Sequence, residues 1–184
     1  MSFTDSNFQN ILTNVGGMKS EDAITYLREC IETTQGDPRV YVLLAAEFAS
    51  AEQLDFAEGA YICALNRAPE FALARFQLGL LHFVQHRIAA AFAVWELLKP
   101  LGEEHPLQLF SSGIELYAIG KYAEALTTIN RGIANNHENL ALNQDMQKII
   151  DAIHRDMNAK EQTNETQTET DVSSVFLMSA YHQH

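Results

Sequence analysis

The chain has 184 residues, of which 47% are apolar, and this length and composition suffice for a continuous hydrophobic core. Alanine, leucine, glutamate and glutamine are abundant, whereas there are only nine glycines and four prolines, a mixture that favours helices. Twelve basic against 24 acidic side chains give a formal charge of −12, so we expect no nucleic acid and no membrane as a partner.

The N-terminal residues carry neither a basic leader nor a long apolar run, and no stretch of about 18 apolar residues occurs along the chain. These features predict a cytoplasmic protein. The two cysteines, Cys30 and Cys63, lie in helical patterns between apolar neighbours. We therefore expect both to be reduced core residues.

Two helices are predicted in residues 1–37. The first extends from about Asp5 to Asn14 and ends before the two glycines Gly16 and Gly17. The second extends from Ser20 to Ile31, and Ser20 is the predicted N-cap.

Residues 38–136 show a repeat of 34 residues. Counting back by 34 from one alanine finds three more alanines, and two further sets keep the same phase: a small residue in the first helix of each repeat and a large one in the second. The alanines are Ala125, Ala91, Ala57 and Ala23, the small residues are Ala45, Gly79 and Gly113, and the large ones are Tyr61, Trp95 and Ile129. A small residue facing a large one lets paired helices approach to about 8–10 Å. The predicted helices are 38–50, 54–67, 71–85, 87–99, 106–118 and 121–135.

The segment YAIGKYAEAL, Tyr117 to Leu126, resembles the turn region of a tetratricopeptide repeat, in which a glycine ends one helix and a small residue packs the next helix against it. The resemblance implies an all-α fold, a right-handed superhelix of antiparallel helix pairs. Repeats would cover 38–71, 72–105 and 106–139, preceded by a degenerate leading repeat. The turn glycine is present only as Gly120, because Glu52 and His86 stand at the equivalent positions.

An amphipathic capping helix is predicted over 139–157, with its apolar residues facing the last repeat: Leu140, Leu142, Met146, Ile149, Ile150 and Ile153. Residues 158–184 are predicted to be a flexible tail, because their first part is almost entirely polar. The tail ends in an apolar segment that is either plainly disordered or a docking peptide. Its apolar residues are Val175, Phe176, Leu177, Met178 and Tyr181.

Ligands of tetratricopeptide repeats commonly lie in a concave groove lined by the first helix of each pair. Carried over by register, the groove residues of the second and third repeats are Leu73, Phe76, Gln77, Leu80, Phe83, Val84, Leu107, Phe110, Ser111, Ile114 and Tyr117. The resemblance thus implies an apolar, aromatic groove, although the phenylalanines could instead fill the core. The clamp with which some members grip acidic chaperone termini needs Lys, Asn and Arg. The corresponding residues here are Val42, Ala46, Gln77, Leu107 and Ser111, so we expect no such clamp.

No motif in the sequence indicates catalysis. His82 and His86 are four residues apart on one predicted helix and could share a metal ion, but no third ligand follows in a recognisable pattern. The sequence has neither a glycine-rich phosphate loop nor a nucleophile elbow. We therefore expect no enzyme activity, no cofactor and no metal site.

Three functions fit these observations. The first is an adaptor or scaffold that binds an apolar or aromatic peptide or helix of a partner in the groove. The second is a cytoplasmic chaperone for an aggregation-prone client, since size, acidity and repeat number are similar to those of the chaperones of type III secretion translocators. The third is self-association or autoinhibition, with the tail in a groove of the same molecule or of a second copy.

Overall fold

The computed structural model describes residues 5–165, and the surroundings of side chains for residues 5–160. The apolar tail segment, with Val175, Phe176, Leu177, Met178 and Tyr181, lies outside the described residues. All regular structure in the described part is helical, and a short 3₁₀ helix spans Lys99–Leu101. The α-helices are α1 (Asp5–Val15), α2 (Ser20–Thr33), α3 (Pro38–Ser50), α4 (Leu54–Arg67), α5 (Ala72–Val84), α6 (Ile88–Glu96), α7 (Pro106–Ala118), α8 (Tyr122–Asn135) and α9 (Leu140–Glu165).

The described residues form two compact units, one up to Leu81 and one from His82 onward, and the boundary falls within α5. Helices that are adjacent in sequence pack on each other in both units. In the first unit α1 packs on α2, α2 on α3 and α3 on α4. In the second unit α6 packs on α7, α7 on α8 and α8 on α9. None of the helices in residues 5–165 is both long and apolar enough to cross a membrane.

The predicted helices 38–50, 54–67 and 106–118 have these bounds in the structure. The helix predicted over 87–99 is shorter, because α6 ends at Glu96 and a 3₁₀ turn follows. Pro100 explains this end, since its ring would clash with the carbonyl of Glu96 if the α-helix continued.

Two of the helices begin with the same capping arrangement. Asp37 accepts a hydrogen bond from the backbone N–H of Arg39 at 2.8 Å, and His105 accepts one from Leu107 at 3.2 Å. In each case the capping residue precedes a proline at the first helical position, where the missing N–H costs nothing. The predicted cap Ser20 is wrong, because Ser20 is already helical and Lys19 is the N-cap.

In the first unit, the small and large residues of the 34-residue phase are buried, as predicted. Ala45, Ala57 and Tyr61 are fully buried. The cysteine prediction is correct for Cys30, which is buried, and wrong for Cys63, which is exposed on α4. Apolar neighbours in sequence therefore do not by themselves place a residue on the buried face of a helix. The angular position of the residue around the helix axis determines whether it faces the core.

In the second unit, paired helices approach through glycines. A Cβ atom on Gly113 of α7 would overlap the Ile129 side chain of α8, and one on Gly132 of α8 would overlap the Phe110 ring of α7. Ala91, Ala125, Trp95 and Ile129 are buried here as their phase predicts. The buried apolar residues of α9 are Leu142, Met146, Ile149, Ile150, Ala152 and Ile153.

Two predictions for the last helix differ from the structure. Leu140 is 65% exposed rather than facing the core. It lies two residues, about 200° of rotation, before Leu142, which places it on the opposite face. In addition, α9 continues to Glu165 and includes the beginning of the predicted tail. Residues 158–165 are polar but rich in good helix formers, and extending an existing helix is much easier than starting one.

Candidate functional site

A turn with the same backbone conformation follows α3, α5 and α7. Glu52, His86 and Gly120 have φ angles of 58°, 59° and 79°, and they are 34 residues apart. After each of them, the next N–H donates to a carbonyl five residues earlier, at 2.8 Å from Gln53, 2.9 Å from Arg87 and 2.9 Å from Lys121. This is the Schellman arrangement that satisfies the last carbonyls of a helix. The backbone therefore repeats with the 34-residue period even where the glycine is replaced.

The second unit contains a cavity of about 420 Å³ beside two of these turns. The ends of α5 and α7, the starts of α6 and α8, and the last part of α9 form its walls. Its apolar side chains are those of Phe83, Val84, Ile88, Tyr117, Ala118, Ile119 and Tyr122. Its polar side chains are those of His86, Asp156 and Lys160. Such a volume lies in the range of about 300–1,000 Å³ found for ligand pockets.

Aromatic rings form a continuous wall of the cavity. The ring centroids of Phe83 and Tyr117 are 6.3 Å apart, and those of Tyr117 and Tyr122 are 5.9 Å apart, both tilted. Trp95, fully buried, lies behind this wall with its centroid 6.2 Å from that of Phe83. These separations are those of favourable edge-to-face contacts, so the wall is built before any ligand arrives.

Asp156 and Lys160 come from α9 and meet the aromatic wall. The Tyr117 hydroxyl donates a hydrogen bond to Asp156 Oδ2 at 2.7 Å. Burial, and then this bond to a carboxylate, raise the pKa of Tyr117 above its usual range, so the hydroxyl remains a donor near neutral pH. The Lys160 ammonium lies 4.6 Å from the Tyr122 ring centroid, a cation–π contact. Both contacts hold the last part of α9 against α7 and α8.

The structure distributes the predicted groove residues over two environments. Phe83, Val84 and Tyr117 line the cavity. The other large apolar ones are buried or half-buried in the helical packing, as are the two polar ones: Leu73, Phe76, Gln77, Leu80, Leu107, Phe110, Ser111 and Ile114.

Phe110 shows why register alone does not identify a binding surface. Its ring is fully buried and lies against Gly132 of the paired helix. A charged substitution at this position would therefore test the core and not a ligand site. The small residue that admits this ring occurs in α8, which the groove register does not consider.

Sequence reasoning missed most of the cavity. Ile119 and Gly120 lie in the turn after α7, and Asp156 and Lys160 lie on α9. A register that names only the first helix of each pair cannot include turn or capping-helix residues. Asp156 lies in the predicted capping helix, but Lys160 falls in the predicted flexible tail, so no predicted helix joined the two.

The two histidines considered for metal binding do not lie together on a helix. His82 is buried within α5, whereas His86 is exposed and lies in the turn beyond the end of that helix. Across the part of the chain that the structure describes, no group of three or more His, Cys, Asp or Glu side chains has an arrangement suited to a metal ion.

Comparison with known proteins gives no assignment, since no family model and no curated protein sequence matches the chain.

Proposed function

We propose that this protein is a tetratricopeptide-like helical repeat protein that binds an apolar segment of another polypeptide. The observation that carries the proposal is the cavity of the second unit, whose lining contains three of the residues at groove positions, Phe83, Val84 and Tyr117. Ligands of tetratricopeptide repeats are commonly held at such groove positions.

The repeat assignment is supported by features that share one period. The alanines at 34-residue spacing, Ala23, Ala57, Ala91 and Ala125, are all fully buried. Glu52, His86 and Gly120 adopt the same left-handed turn at the same spacing. Agreement between buried side chains and turn geometry supports a repeated helical pair, in which each pair covers the apolar face of its neighbour.

The chemistry of the cavity favours an apolar or aromatic anchor. Ile119 is 61% exposed although it is a large aliphatic residue, so an occupant would remove its surface from water. Each large apolar side chain that becomes buried contributes roughly 1.5–3 kcal/mol. The Tyr117 hydroxyl already donates to Asp156, so an occupant need not accept a hydrogen bond from this hydroxyl. The proposed ligand is therefore a helix or extended segment that inserts one or more large apolar side chains.

The experiment is a selection of displayed peptides on the full-length protein, followed by affinity measurements with variants. Ile119→Glu places a carboxylate at the cavity and should weaken binding of the enriched peptides by about tenfold or more. Leu97→Glu is the matched control, because Leu97 is 60% exposed in the same unit but does not line the cavity. The affinity of the Leu97→Glu variant for the enriched peptides should stay within about twofold of the wild-type affinity.

Circular dichroism must show that both variants remain helical. Equal weakening by the two substitutions would mean a general effect of charge, and unchanged binding with Ile119→Glu would place the ligand elsewhere. Either result would refute the assignment of this cavity.

A further inference from the structure

The last part of helix α9 lies at the cavity. Asp156 and Lys160 line the cavity, and the helix ends at Glu165, only five residues after Lys160. At 1.5 Å per residue, this distance is about 7.5 Å along the helix axis. Whatever follows Glu165 therefore begins close to the cavity mouth.

The apolar residues 175–181 are within reach of the cavity from this point. Nine residues, 166–174, separate them from the helix end, and their sequence TQTETDVSS is almost entirely polar. An unstructured connection of about ten residues has an average end-to-end distance of roughly 16–19 Å. This exceeds the distance back along α9 from Glu165 to Lys160, so the connection is long enough to turn back.

The composition of this segment suits the cavity. Residues 175–178 are Val, Phe, Leu and Met, and Tyr181 follows, so the segment carries two aromatic and three aliphatic or thioether side chains. Residues 172–184 contain no Lys, Arg, Asp or Glu. Inserting the segment would cover Ile119 and extend the aromatic wall, and the segment would take no charged side chain of its own out of water.

We propose that residues 175–181 occupy the cavity of their own chain and exclude other ligands from it. This inference rests on the proposed function, because it assigns an internal competitor to the same site. A tether of this length gives an effective concentration near millimolar. A partner must then bind tightly enough to displace the tail from the cavity. Changes in the tail sequence would therefore change the apparent affinity for partners.

The first test is a disulfide trap in the full-length chain. Cys63, the exposed cysteine, is replaced by serine, whereas Cys30 is buried and stays. Ile119→Cys is combined with Phe176→Cys, and mild oxidation should link the two within one chain, as mass spectrometry of the peptide digest would show. His154→Cys with Phe176→Cys is the matched control. His154 is exposed, does not line the cavity and lies about 17 Å before the end of α9, within reach of the same tail. It is two residues, about 200° of rotation, before Asp156, so it lies on the opposite face of α9.

Linkage through Ile119 should be at least tenfold faster than through His154. Equal rates for the two pairs would overturn the proposal, because random encounters would explain both. Covalent dimers instead of intramolecular links would also overturn it, since they would assign the segment to a second copy.

The second test is competition with a fluorescein-labelled synthetic peptide of residues 171–184. The peptide is titrated against the wild-type chain and against the full-length variant with Phe176→Ser and Leu177→Ser. If the peptide's intrinsic Kd is near 0.1 mM, its apparent Kd for the wild-type chain should be about tenfold higher than for the variant, because the wild-type tail competes. Equal affinity for the two chains would overturn self-occupancy. If the selected partner peptides still bind there and depend on Ile119, the proposed function stands without the tail. If neither kind of peptide binds the double variant, both proposals fail.

Discussion

Gly113 and Gly132 lie on opposite helices of one pair, and each admits a large side chain from the other helix. The Ile129 side chain of α8 packs against Gly113, and the Phe110 ring of α7 packs against Gly132. Close packing of this kind makes the site sensitive to a single methyl group.

Gly113→Ala should lower the free energy of unfolding by about 1–3 kcal/mol, because its Cβ would overlap the Ile129 side chain. Urea denaturation followed by circular dichroism measures the change. Gly59→Ala on α4 is the control, since nothing lies within 4 Å of its added Cβ. That substitution should instead stabilise by about 0.5–1 kcal/mol through helix propensity. Similar destabilisation by both would contradict the packing described for Gly113.

The turns after α3 and α5 keep a left-handed backbone without glycine. Glu52 and His86 have φ near 58°, a conformation that costs a residue with a Cβ about 1–2 kcal/mol. Glycine would remove this cost, but it would also increase the entropy of the unfolded chain by about 0.4–1 kcal/mol. The first effect is larger, so a net gain is expected.

Glu52→Gly and His86→Gly should each raise the free energy of unfolding by about 0.5–1 kcal/mol. The reciprocal change, Gly120→Ala, should lower it by a similar amount, because Gly120 has φ of 79°. Urea denaturation measures the three changes, as shifts of the midpoint at an unchanged dependence of the unfolding free energy on urea concentration. A loss of stability in the two glycine variants would show that the side chains of Glu52 and His86 contribute more than their backbone strain costs.

At the scale of elements, α9 is joined to α7 by the bond between Tyr117 and Asp156. The pKa of Tyr117 is raised in the folded protein, by burial first and by the neighbouring carboxylate second. A group whose folded pKa lies above its unfolded value contributes stability below the unfolded pKa. That stability is lost as the pH rises from the unfolded value, ordinarily 10, toward the folded one.

Tyr117→Phe should therefore make the decline of stability above pH 10 shallower, by up to about 1.4 kcal/mol per pH unit for one proton. At pH 8 the same variant should be less stable by about 1–3 kcal/mol, because the hydrogen bond to a charged acceptor is lost. Unfolding in urea between pH 8 and pH 11 measures both effects. Asp156→Asn, which removes the opposing charge, should shift the slope in the same direction. Parallel pH profiles for wild type and Tyr117→Phe would refute this account.

Helix positions could be predicted from the sequence because the causes are local. Pro38 and Pro106 mark helix starts, and the 34-residue phase fixes the pairs between them. The cavity could not be predicted in the same way. It needs Tyr117 and Asp156 to meet although they are 39 residues apart, and no local pattern encodes that encounter.

At the scale of the whole molecule, the formal charge of −12 implies mutual repulsion between surface carboxylates. Repulsion of this kind destabilises a compact state and is screened by salt. The ion pairs that the structure shows include Arg39 with Asp5 at 2.6 Å and Lys148 with Asp145 at 2.8 Å. Salt would weaken these attractions, but such partly exposed pairs contribute little, so the repulsion should dominate.

Raising NaCl from 10 mM to 300 mM should therefore increase the melting temperature by about 2–4 °C, which corresponds to roughly 1 kcal/mol for a chain of this length. A variant with Glu32→Gln, Glu103→Gln and Glu138→Gln, three exposed positions, should show a smaller increase. A melting temperature that falls with salt would mean that ion pairs outweigh repulsion.

The single tryptophan of the chain, Trp95, stands directly behind the cavity wall. Its indole is buried and its centroid lies 6.2 Å from that of Phe83, which lines the cavity. Indole emission depends on the polarity and rigidity of its immediate surroundings. The protein thus carries an intrinsic optical reporter one side chain away from the site, and unlabelled ligands can be titrated against it.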